Sequence, residues 1–333
     1  RAGFDRVILG ELEDTLVETC REWPRLVAGS ARAEQGCGIA YAPPRPRIGD
    51  LDQLPLPAWD LIDIREYRRV WREAHGYFSL NLVTSRGCPY RCNWCAKPMY
   101  GDTYKHVSAD RAAAELERVK GLFQPDQVWF ADDIFGLSAK WTGEFADCVG
   151  RRDARIPFRI QSRCDLMTRG TVDALERAGC VEVWMGAESG SQRILDAMEK
   201  GIRVEHIHAA RENLARHGIR ACFFLQFGYL GEEWEDIEAT IRMVRETQPD
   251  DVGVSVSYPL PNTRFHQIVH ERMGTKSNWS DSGDLAMMFS GAFPTEFYRA
   301  LADALHAEVR RDASGSQLSD AWEKVEQLRC ACC

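Results

Sequence analysis

The chain has 333 residues, 44% hydrophobic and 28% charged, which suffices for a large buried core and excludes a disordered or fibrous protein. A net charge of -8 with no sustained block of Lys or Arg leaves no electrostatic footprint for nucleic acid. No run approaches the ~18 apolar residues of a membrane helix, and Arg1-Ala2-Gly3-Phe4-Asp5 lacks the apolar core of a signal peptide, so the sequence reads as cytoplasmic.

Val7-Ile8-Leu9 reads as a short buried strand, followed by a helix with Leu12, Leu16, Val17 and Cys20 on one face. This single strand-turn-helix unit, within residues 1–40, looks like the end of a preceding βα domain and predicts that the chain is a fragment. Residues 41–76 read as a linker, because Pro43, Pro44, Pro46, Pro55 and Pro57 fix an extended path and remove backbone donors.

Strand-like and helix-like segments alternate across residues 77–262, as parallel βα units do. The predicted strands are Phe78 to Thr84, Gln127 to Ala131, Phe158 to Ser162, Val181 to Gly186, Ala221 to Gly228 and Val252 to Tyr258. The predicted helices are Ala112 to Leu122, Ala139 to Val149, Val172 to Ala178, Gln192 to Met198, Val204 to His217 and Trp234 to Thr247. Ser138 and Thr171 are the candidate N-caps, with Gly179 and Gly218 at helix C-termini. Right-handed crossovers curl such a chain into an α/β barrel or partial barrel. Residues 263–333 form a C-terminal helical lobe, marked by Phe297, Leu301, Leu305 and Val309 on one helical face.

Three of the twelve cysteines fall in one short loop, Cys88-Pro89-Tyr90-Arg91-Cys92-Asn93-Trp94-Cys95, directly after the first barrel strand. The rest are scattered, which argues against a secreted disulfide framework and for a metal site in a reducing compartment. Soft thiolates select iron-sulfur clusters or zinc. Three thiolates on a cubane leave one iron open to substrate chemistry, whereas a zinc knuckle needs a fourth ligand such as Cys164 or a histidine.

This loop resembles the C-x-x-x-C-x-aromatic-C motif of the radical S-adenosylmethionine (SAM) superfamily, matched by Cys88, Cys92, Trp94 and Cys95. The resemblance implies a partial (β/α)6 TIM-like barrel and a 4Fe-4S cluster held by the three cysteines. It also implies SAM chelated at the open iron, with Trp94 beside the adenine. The reaction it implies is reductive cleavage of SAM to a 5'-deoxyadenosyl radical.

Polar residues at the strand ends are the candidate SAM contacts. Asp132 and Asp133 close the second strand, with a helix cap or solvated turn as the alternative reading. Gln161, Arg163 and Asp165 close the third, where Arg163 could clamp a carboxylate bidentately, with a structural ion pair as the alternative reading. Met185-Gly186-Ala187-Glu188-Ser189-Gly190 resembles the family's G-x-E-S segment, which implies that Glu188 reaches the bound SAM. Phe227-Gly228-Tyr229-Leu230-Gly231-Glu232-Glu233 resembles the G-x-P-G-E-T turn of these barrels but departs from it at Leu230 and Glu233. His206 and His208 point to different faces of one helix and read as surface or core histidines. Cys330, Cys332 and Cys333 read as a frayed tail. The residues that carry out chemistry on the substrate stay unassigned.

Phe4 to Glu13 resembles the last strand and G-E-x-E helix of the Rossmann-like cobalamin domain that precedes the barrel in radical SAM methyltransferases and anaerobic Mg-protoporphyrin ester cyclases. Leu51 to Asp60 resembles their linker. This branch implies cobalamin in the full-length protein, methyl transfer to a small-molecule or peptide substrate, and a reductant such as flavodoxin or ferredoxin. An oxidative or ring-forming radical enzyme is the alternative, and a non-catalytic iron-sulfur or zinc module a more distant one. The D-x-H-x-x-G signature of the cobalamin-ligating histidine occurs nowhere in the chain.

Overall fold

The computed structural model describes residues 4–34, 38–97, 100–278, 280–311 and 314–331. β1 (Val7–Ile8), α1 (Glu13–Arg21), β2 (Ser30–Ala33) and β3 (Ile39–Tyr41) come first, and the three strands form a small antiparallel sheet in that order. The expectation of a buried strand and a buried apolar helix face fails here. Val7, Leu9, Leu12, Leu16, Val17 and Cys20 are all exposed. α1 turns Thr15 and Thr19 inward instead, where Thr19 Oγ1 donates to the Thr15 carbonyl and Arg45 Nε donates to Thr15 Oγ1.

The proline-rich stretch that follows contains two single helical turns, Leu51–Gln53 and Trp59–Leu61. Within the expected linker lies a helix, α2 (Ile64–His75), of which only Ile64 is buried. Ile64, Tyr67, Val70 and Trp71 recur along it at helical spacing, and the Asp63 carboxylate caps it by accepting from the amides of Arg65 and Glu66.

The barrel begins at β4 (Ser79–Leu82). A two-residue hairpin, β5 (Ser85–Arg86) and β6 (Lys105–His106), then brackets the cysteine loop. Next come α3 (Ala109–Phe123), β7 (Gln127–Phe130), α4 (Ala139–Arg151), β8 (Phe158–Ser162), α5 (Arg169–Ala178) and β9 (Cys180–Glu188). α6 (Gln192–Ala197), α7 (Val204–Arg216), β10 (Arg220–Phe227), α8 (Trp234–Thr247) and β11 (Asp251–Val256) complete the alternation. The six long strands pair in parallel in sequence order, β4-β7-β8-β9-β10-β11. This is a partial (β/α)6 barrel, with β4 and β11 as its two edges. Ser138 caps α4 as expected, but α5 starts one turn earlier than its apolar residues suggest and its cap is Thr168, not Thr171.

After the barrel, α9 (Arg264–Val269) leads to α10 (Thr295–Arg310) and α11 (Gly315–Cys330). α10 buries Phe297, Leu301 and Leu305 and closes the β11 edge, where His306 Nε2 lies 3.1 Å from the Val252 carbonyl and Arg310 pairs with Asp251 at 3.0 Å. No helix among the described residues is long and apolar enough to cross a membrane.

Between the sheet and the outer helices the core is aromatic around β7. Phe130 is fully buried, with Phe135, Phe158 and Phe145 at centroid distances of 5.0, 5.1 and 5.9 Å. Truncation there leaves a cavity that fixed strands cannot close. Phe130→Ala should therefore destabilise the fold by about 3–5 kcal/mol in denaturant titrations, while Leu122→Ala on an exposed site stays within about 0.5 kcal/mol.

Candidate functional site

The site starts from the hairpin loop that carries Cys88, Cys92 and Cys95, all half-buried and unpaired. Burial pushes the Cys95 thiol up to about 11, with Cys92 and Cys88 adding to the shift, so the three sulfurs are electrostatic neighbours. Burial raises Cys88 as well. Among the described residues no three His, Cys, Asp or Glu side chains are placed to hold one metal ion. Cys164 is buried beneath Gly186 and its thiol is pushed up to about 12 by burial, which leaves it an inert core residue.

The first half of the loop is held by the acidic pair. Asp132 Oδ1 accepts from the amides of Thr84 and Ser85 at 2.7 and 2.8 Å, and Oδ2 accepts from the Thr84 hydroxyl at 2.5 Å. Asp133 Oδ2 accepts from the Gly87 amide at 2.8 Å. Gly87 has a φ of 80°, and a Cβ there would lie 2.0 Å from the Thr103 carbonyl oxygen, so the turn into Cys88 requires glycine. Asp132, a candidate SAM contact, thus has one oxygen on the loop backbone and the other on the Thr84 hydroxyl. Asp133 is exposed.

The second half is held by Asn93, which sequence reading passed over. Its side chain donates to the Ala197 carbonyl at 2.8 Å and accepts from the Tyr229 hydroxyl at 3.0 Å. Its own amide donates to the Met198 carbonyl, and its carbonyl accepts from the Phe265 amide. One buried residue thus joins the cysteine loop to the turn after α6, the end of β10 and the start of α9. Lys97 adds a tie by donating to the carbonyls of Cys88 and Tyr90, with Asp102 at 2.9 Å as its counter-charge.

Arg163, the candidate carboxylate clamp, is buried, its Nε and Nη2 reach Asp165 at 2.9 and 3.2 Å, its Nη1 donates to the Lys200 carbonyl at 3.0 Å, and its Cζ lies 3.5 Å from the Tyr90 ring centroid. Gln161 sits on β8 in register with Trp184 of β9.

Glu188 ends β9 with a φ of 61°, a left-handed conformation uncommon for a non-glycine residue, at the point where the register between β9 and β10 shifts. Its carboxylate is buried and accepts from Lys200 Nζ at 2.6 Å. A Cβ at Gly186 would come within 2.4 Å of both Glu188 Oε1 and Lys200 Nζ, so the absent side chain is what makes room for the pair. The ammonium lies 5.9 Å from the Trp94 ring centroid. The Trp94 indole N–H is buried without a hydrogen-bond partner, and so are Gln226 Oε1 and Ser257 Oγ at the ends of β10 and β11.

The two histidines stand apart from this cluster. His206 caps its own helix by accepting from the Arg203 amide, and His208 lies 3.8 Å from Glu246. Cys330 is exposed at the end of α11, and Cys332 and Cys333 lie outside the described residues. On the outer side of β4 an apolar cleft of about 710 Å³ opens between Leu12 and Leu16 of α1, Leu54 and Trp59, and Val83, with Arg86 at its rim.

Residues 82–244 match the family model described as the radical SAM superfamily. A Pyrococcus horikoshii protein described as an uncharacterized methyltransferase is 29% identical over 83% of this chain and 60% of its own length. The anaerobic magnesium-protoporphyrin IX monomethyl ester cyclase of Rubrivivax gelatinosus is 25% identical over 81% of this chain and 50% of its own. The chain therefore spans half or slightly more of the length of these curated relatives. Among solved structures, the radical SAM methyltransferase TsrM from Kitasatospora setae, with cobalamin and a 4Fe-4S cluster bound, superimposes with a TM-score of 0.68 at 20% identity, covering 85% of this chain and 57% of TsrM. The cobalamin-dependent enzyme OxsB gives 0.65 at 16% identity, covering 96% and 54%. At such identities the likeness speaks to the fold.

Asp132 offers a test of the loop clamp. Burial pushes its carboxyl from 3.8 up to about 6 against the hydrogen bonds that favour the anion. The folded state thus binds a proton more tightly than the unfolded chain. The resulting stabilisation is complete below about pH 4 and lost as pH rises through about 6. Asp132→Asn should remove this component from the pH dependence of stability. Asp132→Ala should cost about 2–5 kcal/mol at pH 7 by orphaning two amides and a hydroxyl, measured by denaturant titration.

Proposed function

We propose, for a chain that belongs to the radical SAM superfamily, that Cys88, Cys92 and Cys95 hold a 4Fe-4S cluster and that the complete protein is a cobalamin-linked radical methyltransferase. The observation that carries the reading is the hairpin loop with three neighbouring half-buried thiols. Zinc needs donors converging on one point, whereas a cubane takes each thiolate on a separate iron. The buried Trp94 N–H without a partner fits a ligand with hydrogen-bond acceptors beside the loop.

When bound, the cluster supplies the electron that cleaves SAM and releases the 5'-deoxyadenosyl radical. This chain's residues then have separable tasks. Asp132, Asp133 and Asn93 fix the loop backbone. Trp94 offers an indole face and a donor to the adenine. Glu188 offers a carboxylate at the mouth of β9, poised by its strained backbone, and Asp133 offers a second one beside the loop. Further down the sheet Trp184 and Phe224 lie with ring centroids 4.9 Å apart, and Glu182 pairs with Arg159 and Arg220.

Methyl transfer and cobalamin rest on the Pyrococcus horikoshii relative and the branch-like N-terminal motifs, and the uncovered apolar face of α1 supports a covering corrin domain in the complete protein. The likeness to the Rubrivivax cyclase favours an oxidative ring-forming reaction as a second reading. Product mass separates the two, since methyl transfer adds one carbon. The cleft beside β4 is the proposed approach for a small-molecule or peptide substrate, and a flavodoxin or ferredoxin the proposed reductant.

Anaerobically reconstituted protein should carry about four irons per chain and form 5'-deoxyadenosine from SAM under dithionite. Cys88→Ala, Cys92→Ala or Cys95→Ala should abolish both, and stoichiometric zinc in protein isolated without oxygen would contradict the assignment. Glu188→Gln should keep the cluster yet weaken SAM binding by about 1.5–3 kcal/mol in equilibrium titration, the cost of one charged hydrogen bond. Unchanged affinity would confine Glu188 to its pairing with Lys200.

A further inference from the structure

Lys200 lies in the turn between α6 and α7, where neither its position nor its neighbours in sequence announce a role. It is the only buried lysine among the described residues, at 6% exposure, and its ammonium lies 5.9 Å from the ring centroid of Trp94 in the cysteine loop. Its backbone is pinned on two sides. The Lys200 amide donates to the Leu195 carbonyl, its carbonyl accepts from Arg163, and the adjoining Met198 carbonyl accepts from Asn93 inside the loop. The ammonium therefore keeps a fixed distance from the sulfurs.

We propose that Lys200 is an electrostatic positioning residue that sets the reduction potential of the cluster, resting on the assignment of Cys88, Cys92 and Cys95 as its ligands. Three thiolates on a 4Fe-4S core leave it anionic when oxidised, and reduction adds a second negative charge. A buried cation on one side favours the reduced form, because low-dielectric surroundings do not screen it.

Three cations surround the thiols, and they are not equivalent. Arg163 is neutralised by Asp165 in a bidentate pair, and Lys97 by Asp102 on the exposed side. Lys200 is paired with Glu188, and it acts on Cys92 and Cys95, whereas Lys97 acts on Cys88 and Cys95 and Arg163 on Cys88 and Cys92. The 2.6 Å contact between the two buried side chains keeps the ammonium charged, as a potential-setting group must be.

The test is an EPR-monitored redox titration of reconstituted protein without SAM, so that no step of turnover enters the readout. Lys200→Met should shift the reduction equilibrium at least tenfold toward the oxidised cluster, a fall of about 59 mV for one electron. Lys200→Arg should stay close to the native value. If Lys200→Met alone leaves Glu188 buried without a partner and fails to load, the double variant Glu188→Leu with Lys200→Met replaces the whole pair by apolar side chains of similar volume, a change that buried ion pairs often tolerate. Its potential should also fall, by less than the single change. A midpoint equal to the native one in the loaded single or double variant overturns the proposal. Native protein that binds no cluster would overturn the cysteine assignment, and this role with it, before any potential is compared.

Discussion

The constraint on which the site depends is that the cysteine loop must be held from outside itself. Between the short hairpin strands that end at Arg86 and resume at Lys105, the described residues form no regular pairing, and buried amides without partners are costly. Two carboxylates just after β7 satisfy the amides leading into Cys88, and Asn93, between Cys92 and Cys95, anchors the other half by donating from its amide to the Met198 carbonyl and from its carboxamide to the Ala197 carbonyl. β7 neighbours β4, so the acids that follow it face the β4 exit, while the turn after α6 reaches over to Asn93. Strand order thus becomes loop position.

A second consequence of this arrangement is a balance of buried charge. Glu188, Asp132 and Asp165 bring carboxylates into the region of the cysteine loop, and Arg163, Lys97 and Lys200 bring cations into it, each paired with an acid. Each cation also donates to a backbone carbonyl or a carboxylate that fixes its place, so the field at the loop is built into the fold rather than supplied by mobile surface groups. Lone buried charges of this number would be prohibitive, and paired ones still demand accurate geometry. The glycine at 186, beside which a methyl group would collide with both members of the Glu188–Lys200 pair, shows how tightly that geometry is set.

Much of the barrel was legible in the sequence because its strands and helices carry their own periodicities: the alternating strand Phe158–Ser162 and the amphipathic helix Trp234–Thr247 fall where their patterns place them. The cysteine spacing likewise encodes its chemistry in the motif itself. Elsewhere the surroundings masked the pattern. α2 carries Ile64, Tyr67, Val70 and Trp71 at helical spacing but follows directly on a run of prolines that reads as linker, and α11 buries only Val325. For Asp132 and Arg163, position at a strand end was visible but partner was not. Whether an acid meets a ligand or a loop amide depends on register between strands that are 48 residues apart in sequence. Asn93 and Lys200 gave no signal, since an amide inside a motif and a lysine after a short helix have ordinary surface readings, and only the packed structure makes them buried.

The edges of the partial barrel show how the fold divides protection from access. An open sheet exposes unpaired backbone on two strands, and each edge has to be covered or left as an opening. On the β11 side α10 lies against the strand, its aromatic face buried and His306 and Arg310 engaging the strand ends. On the β4 side there is no such helix. Instead α1 and the segment around Trp59 stand off from the strand, Val83 stays exposed, and an apolar cleft separates them. Arg86 links the two regions, because it lines the cleft while pairing with Glu11 and Glu13 of the N-terminal unit two residues before Cys88. Any body that displaces α1 must therefore act on the residue that begins the cysteine loop, so the cover over the open edge and the geometry of the thiols are mechanically joined.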